Sequence, residues 1–176
     1  MIYTSSYKKC RDSHYHTYSI SKNMGCDASY VGDAYLKLAP KEDFFRIWKN
    51  NIDKISEKEN TEYYIREFYN QVLSFLDPKE VYDEVDNSIL LCYEDNMDFC
   101  HRHLVAAWFE LYLGLSVYEV NVNGYDIKIV NKPNYIKEYL EKVIREENNL
   151  DSDLSISDVY FAKKSCEKKK VLVKKN

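Results

Sequence analysis

The run Ser88-Ile89-Leu90-Leu91-Cys92-Tyr93 limits the fold more than any other stretch of this chain. A strand with one wet face alternates apolar and polar residues, and this one barely does. A run that is apolar throughout is typical of a central parallel strand covered by helices on both faces. The segments around it support that reading. Ile2-Tyr3-Thr4 is a short apolar start ending in the polar Ser5-Ser6. Residues 15–21 alternate with a period of two, as a strand does. Residues 22–39 show no period, contain Gly25 and Gly32 and an exposed-looking Lys37-Leu38-Ala39, and read as loop.

Helical spacing is clear elsewhere. Pro40 suits a first helical turn with Glu42 and Asp43 behind it, which would turn Phe44, Ile47 and Trp48 to the core. Tyr64, Ile65, Phe68, Tyr69, Val72, Leu73 and Leu76 predict a helix over 61–76 with Thr61 as N-cap. Asp77-Pro78 ends it and caps a short helix over 78–85. A further helix carries Leu104, Val105, Trp108, Leu111 and Tyr112 to a Gly114 stop. Residues 116–122 and 125–130 alternate around Asn123-Gly124, a strong hairpin signal. Pro133 then opens a last helix with Ile136, Leu140, Val143 and Ile144. The expected fold is α/β: a small, mostly parallel sheet flanked by helices, with a C-terminal hairpin and helix added. The expected organisation is one domain over residues 1–150 and a lysine-rich extension over 151–176.

Composition narrows the function classes. Residues 163–176 hold seven Lys against one Glu, so the preceding 162 residues carry −10 of the chain's net −4. An acidic body argues against nucleic acid as a general partner, except through the lysine-rich tail. The chain has no apolar stretch long enough for a membrane span. Its N-terminus lacks a signal-peptide pattern, and its five Cys are an odd number. Reduced thiols, a cytoplasmic location and no membrane partner are therefore expected. With only four Gly, the chain has no phosphate-loop or dinucleotide glycine pattern. Its 17 Tyr stand out, as core rings with wet hydroxyls or as a contact surface for a partner.

In open α/β sheets ligands sit beyond the carboxyl ends of the strands. Two loops qualify, residues 5–11 and 93–103. The second belongs to Cys92-Tyr93-Glu94-Asp95-Asn96-Met97-Asp98-Phe99-Cys100-His101-Arg102-His103, which packs thiols, imidazoles, a guanidinium and carboxylates between a buried strand and a helix start. A helix N-terminus with Arg102 is a ready anion site. The expected ligand-binding residues are Ser5, Ser6, Tyr7, Tyr35, Lys37, Tyr93, Glu94 and Arg102, for a small anionic or nucleotide-like molecule with rings to stack. The alternative is a thiol enzyme, with Cys100 as nucleophile and His101 or His103 as base, or else a metal-binding or a protein- or RNA-interaction module. Three nearby acids weigh against a strongly activated Cys100, which would leave it structural, with His103 capping or bridging to Glu94. Cys100 and His103, three apart, would share a helix face from which Arg102 points away. No metal ligands are assigned, since Cys100, His101 and His103 lack zinc-knuckle spacing and Cys92 lies eight residues from Cys100. Cys10, His14, His16 and Cys26 are a looser second set, with both His on one strand face. The sequence leaves the cofactor unknown.

The stretch 88–108, SILLCYEDNMDFCHRHLVAAW, strongly resembles the domain-of-unknown-function 488 family. Ile2-Tyr3-Thr4-Ser5-Ser6-Tyr7 resembles that family's opening strand, and Tyr35-Leu36-Lys37-Leu38-Ala39-Pro40 a further element. The spacings of Tyr63-Tyr64 and Leu76-Asp77-Pro78 agree. The resemblance covers about residues 2–122 and implies a compact α/β sheet without fixing an activity. After the second strand the chain departs from the pattern with Ser21-Lys22-Asn23-Met24-Gly25-Cys26, and its final 50 or so residues have no counterpart there.

Overall fold

The computed structural model describes residues 1–173, with side chains through Glu167; the last of the lysine-rich segment, residues 174–176, lies outside the described residues. The strands are β1 (Tyr3–Ser6), β2 (Cys10–Arg11), β3 (His16–Ser19), β4 (Asp33–Ala34), β5 (Ser88–Cys92), β6 (Tyr118–Asn123) and β7 (Asp126–Val130). The α-helices are α1 (Glu42–Asn51), α2 (Glu57–Gln71), α3 (Pro78–Glu84), α4 (His101–Leu113), α5 (Tyr135–Asn148) and α6 (Ile156–Val173). The fold is α/β.

The sheet runs β2-β6-β1-β5-β3-β4 with every pairing on that path parallel, and β7 adds to β6 as an antiparallel hairpin. The apolar run is the centre, as expected. Leu90 faces Thr4 on β1 and Tyr18 on β3, and all five residues of β5 are buried. Asn123-Gly124 makes the turn to β7, with Gly124 at φ 61°, where a side chain would be strained.

The covering of β5 corrects one expectation. Leu90 points into the large core with Phe68, Leu104, Trp108 and Phe109, the helical side. Ile89 and Leu91 point the other way, into a small cluster with Val120 and Val122. Tyr3, Tyr7, Tyr30 and Ile127 close that cluster, and no helix does. Part of the tyrosine excess is thus spent as a lid, its rings on the apolar face and its hydroxyls on polar partners. Tyr7 Oη bonds Ser19 and Ser21, and Tyr30 Oη bonds Thr17.

Several boundaries differ from the spacing-based expectations. Residues 22–39 are not all loop. They include 3-10 turns at Cys26–Ala28 and Leu36–Leu38 and the edge strand β4, and Leu38 is fully buried. Pro40 precedes α1, whose N-cap is Lys41, and Ile47 stays exposed while Phe44 is buried. α2 starts at a capping box in which Ser56 and Glu59 serve each other's backbone, so Thr61 is a buried interior residue and not a cap. The helix ends in a 3-10 turn, Leu73–Phe75. Asp77 caps α3 as expected, accepting from the backbone N–H of Lys79 and Glu80. Pro133 precedes α5, whose N-cap position is held by Asn134 without a side-chain capping bond, and α5 is not the last helix. α6 packs on α4 with Ile156 buried, while Tyr160 and Lys164 bond Asp77.

Candidate functional site

The 92–103 segment leaves the carboxyl end of β5 and enters α4 within eight residues, so its polar groups are forced into the same small volume. They split into two sets. The division follows from the helix: Cys100 is the extended N-cap (φ −148°, ψ 144°), and residues 101–103 then turn through the first helical turn.

One set is structural. Arg102 and His103 both face Glu119 of β6, and all three are buried. Arg102 lies 3.0 Å from Glu119 through Nη2 and donates from Nε at 3.1 Å. His103 Nε2 is 3.5 Å from the same carboxylate, which also accepts from Thr4 Oγ1 at 2.6 Å. Arg102 Nη2 further donates to the Asp95 carbonyl, closing the 93–99 loop. Burial opposes charge at Glu119, yet His103 and Arg102 hold it below its ordinary range. Arg102 therefore commits Nε and Nη2 to Glu119 and the Asp95 carbonyl while Nη1 has no partner among the described residues, and His103 faces Glu119 and not Glu94. Cys100 and His103 do not work one face while Arg102 points elsewhere; Arg102 and His103 share a carboxylate.

The other set is Cys92, Glu94, Cys100 and His101. His101 Nδ1 lies 3.4 Å from Cys92 Sγ and 4.0 Å from Cys100 Sγ. Its Nε2 is 2.9 Å from the Ile20 carbonyl oxygen at the end of β3. A carbonyl only accepts, so Nε2 carries a proton; Nδ1 faces the sulfurs, with its lone pair when the ring is neutral and as a donor when Cys100 is a thiolate. Cys92 Sγ is 3.6 Å from Glu94 Oε2. Burial pushes the Cys92 thiol well up, and the charge at Cys100 adds to this. Burial also opposes ionisation of Cys100, but the Cys92 S–H, Arg102 and His101 together bring it well below the ordinary thiol value. His101 is raised: burial disfavours its charge, and Cys100 outweighs that. Glu94 is pushed up to about 7 by burial and by the neighbouring Cys100 charge. The arrangement favours Cys100 as thiolate, against the expectation that nearby acids would keep it inert. Asp95 and Asp98 are exposed at the loop surface, and Glu94 is the one acid that reaches the thiols.

Three members of this set, all but Cys100, reach a cavity of about 590 Å³ at the carboxyl ends of β3 and β5. Cys92, Glu94 and His101 line its floor, Tyr93 and Phe45 its walls, and Lys22, Asn23 and Lys49 its rim. Tyr93 is held edge-on against Tyr7 with ring centres 4.9 Å apart, and its hydroxyl donates to Asn23 Oδ1. Lys22 pairs with Glu42, whereas Lys49 has no carboxylate partner among the described residues and lies over the Trp48 ring.

The eight residues assigned to ligand binding fall in different places. Tyr93 and Glu94 line the cavity. Tyr7 stands behind Tyr93, while Ser5 and Ser6 are buried in β1, Ser5 Oγ donating to the Val120 carbonyl. Tyr35 and Lys37 both bond Glu84 of α3 and do not line the cavity. Arg102 is behind the floor. Among the alternative's residues, Cys100 and His101 come together and His103 does not join them. The second cysteine–histidine set is dispersed: His14 stacks on Tyr125, His16 faces Asp33, and His14 lies outside β3.

Sequence reasoning missed Glu119, Ser21, Asn23, Phe45 and Lys49, and treated Cys92 as strand interior. Glu119 had a signal, a lone carboxylate between the apolar Val117, Val120 and Val122. The cavity walls had none, since they come from separate elements.

The family assignment follows from a match over residues 9–113 to the model of the active DUF488-N3 subclade. The chain belongs to the DUF488 family. The matched segment spans both strand ends that carry the cavity and ends with α4 of this DUF488 protein. No curated protein and no solved structure matches the chain. No described helix is long and apolar enough to cross a membrane.

Proposed function

We propose that this DUF488 protein binds a small nucleotide-like molecule in the cavity between the β3 and β5 ends and acts on it with the Cys92, Glu94, Cys100 and His101 cluster. One observation carries the reading: thiol, imidazole and carboxylate groups converge on the floor of a cavity walled by rings. Such a pocket, mostly apolar with a few convergent polar groups, is the usual form of a small-molecule site. Its volume suits a nucleoside-sized ligand and not a polymer. Tyr93 and Phe45 offer ring faces, and Lys49 offers the free cation for an anionic group that Arg102 cannot serve. The description of the matched subclade as active is in keeping with chemistry at this floor.

The test is a thermal-shift screen with nucleosides, nucleotides and phosphorylated metabolites, followed by calorimetry on any hit. Tyr93→Ala should weaken binding about tenfold, the usual worth of one stacked ring. Tyr35→Phe and Lys37→Ala should leave affinity unchanged. The competing position is the open groove lined by Lys8, Lys9 and Arg11. Loss of binding in Lys8→Ala and Arg11→Ala, with Tyr93→Ala silent, would move the site there and end this reading.

A further inference from the structure

We propose that Cys92, Cys100 and His101 hold a zinc-type divalent ion, leaving its fourth position open to the cavity beside Glu94. Among the described residues this trio alone brings three metal-binding side chains together, with its donor atoms all within 4.8 Å of one another.

The spacing fits one ion. Tetrahedral zinc with Zn–S about 2.3 Å and Zn–N about 2.05 Å sets S···N edges near 3.5 Å and an S···S edge near 3.8 Å. The observed edges from His101 Nδ1 are 3.4 Å and 4.0 Å and the sulfurs lie within 4.8 Å of each other, so a shift of at most about 1 Å closes the trio around a metal. The imidazole is already set as a ligand. Its Nε2–H is tied to the Ile20 carbonyl, the outer-shell bond that metal-bound histidines almost always make, and its Nδ1 lone pair faces the sulfurs. Two thiolates and an imidazole are the borderline-soft donors that select zinc over calcium or magnesium.

The charge balance agrees. Two thiolates beside one carboxylate would be costly in a buried volume without a cation, whereas a dication neutralises them. Arg102 is near enough for its charge to favour the thiolate forms of Cys92 and Cys100, and its buried Nη1 has no partner among the described residues. Three protein ligands plus one open position is the pattern of catalytic zinc, where four ligands would mark a structural site. Glu94 Oε2 lies 3.6 Å from Cys92 Sγ and lines the same cavity, so its carboxylate would stand beside a water held at the open position. Metal binding stands on these distances alone, and only its use in chemistry rests on the cavity reading above.

The experiment is cobalt titration of the full chain after chelator treatment under reducing conditions, followed by absorption, with metal analysis of the untreated protein. One equivalent of cobalt should give thiolate-to-cobalt absorption in the near ultraviolet and intense visible bands of a four-coordinate ion. Cys100→Ser and His101→Ala should weaken binding by about a hundredfold or more, beyond the 10–100-fold typical of outer-shell changes. A Cys10→Ser, Cys26→Ser, Cys166→Ser variant, which lacks the three other thiols, should keep the full spectrum. Absence of the thiolate band in the unmodified chain overturns the proposal, and this needs no variant to fold. Loss of the band in the triple variant overturns it as well. Binding of a nucleotide-like hit by metal-free protein would leave the cavity reading standing while the titration decides the metal.

Discussion

Replacing Arg102 with Ala separates a structural arginine from an anion-binding one. The guanidinium and the Glu119 carboxylate are both fully buried, 3.0 Å apart, and tie α4 to β6. Removing the cation leaves Glu119 buried, with Thr4 Oγ1 and His103 as its remaining partners. Breaking a buried pair from one side costs about 3–5 kcal/mol, since the surviving charge has lost its compensation. For a chain of this size each kcal/mol lowers Tm by about 2–4 °C, so Arg102→Ala should melt roughly 6–20 °C lower. Much of that is recoverable. Arg102→Met with Glu119→Leu removes both charges and keeps the volume, and should be markedly more stable than either single change. Urea unfolding and calorimetry of the three variants measure this cycle. An Arg102→Ala loss under about 1 kcal/mol, combined with abolished ligand binding, would refute the reasoning and return Arg102 to the binding role.

Four further outcomes are expected. Leu90→Ala, fully buried at the centre of the sheet, should cost about 2–5 kcal/mol in urea unfolding, for the lost burial and the void left in the helical-side core. Ser56→Ala should cost about 1 kcal/mol, whereas Thr61→Ala should act only through packing. Burial works against charge at Asp77, but Lys164, the α3 backbone and Tyr160 hold its carboxyl below the ordinary range. Its folded value is the lower one, so this stability is present above the unfolded pKa of about 3.9 and is lost as pH falls through the folded value. Asp77→Asn should flatten that acid limb in a pH series of Tm values. Glu94→Gln should preserve cobalt binding within a few fold and abolish turnover of any substrate, read by the absorption titration and a product assay.

The parts legible in the sequence were those in which one segment settles its own fate. Ser88–Cys92 admits no wet face, Asn123-Gly124 admits a tight turn, and Asp77-Pro78 stops one helix and caps the next. The start of α2 was misread because Thr61 is a plausible cap, while the Ser56–Glu59 box lies before the apolar spacing begins. The other face of β5 was misread because burial on both sides does not say what does the covering. Here it is Tyr3 of β1 itself, with Tyr7 and Tyr30 from the segments that follow β1 and β3.

The 92–103 cluster was legible as a place and illegible as a division of labour. Adjacent residues of a helical turn point about 100° apart, so each side chain's role depends on what waits in its direction. Glu119, 17 residues after Arg102, waits for Arg102 and His103. The Ile20 carbonyl, 81 residues before His101, waits for that ring. Neither partner is visible from within the motif.

The most direct test of the cavity as the working site is alkylation footprinting of metal-free protein by iodoacetamide and peptide mass spectrometry, with and without a screening hit. A ligand on the cavity floor should slow modification of the Cys92–Cys100 pair, whose reactive member is Cys100, while leaving Cys10 and Cys166 unchanged. Protection of Cys10, in the strand beside the Lys8–Arg11 groove, with the Cys92–Cys100 pair modified at an unchanged rate, would contradict it.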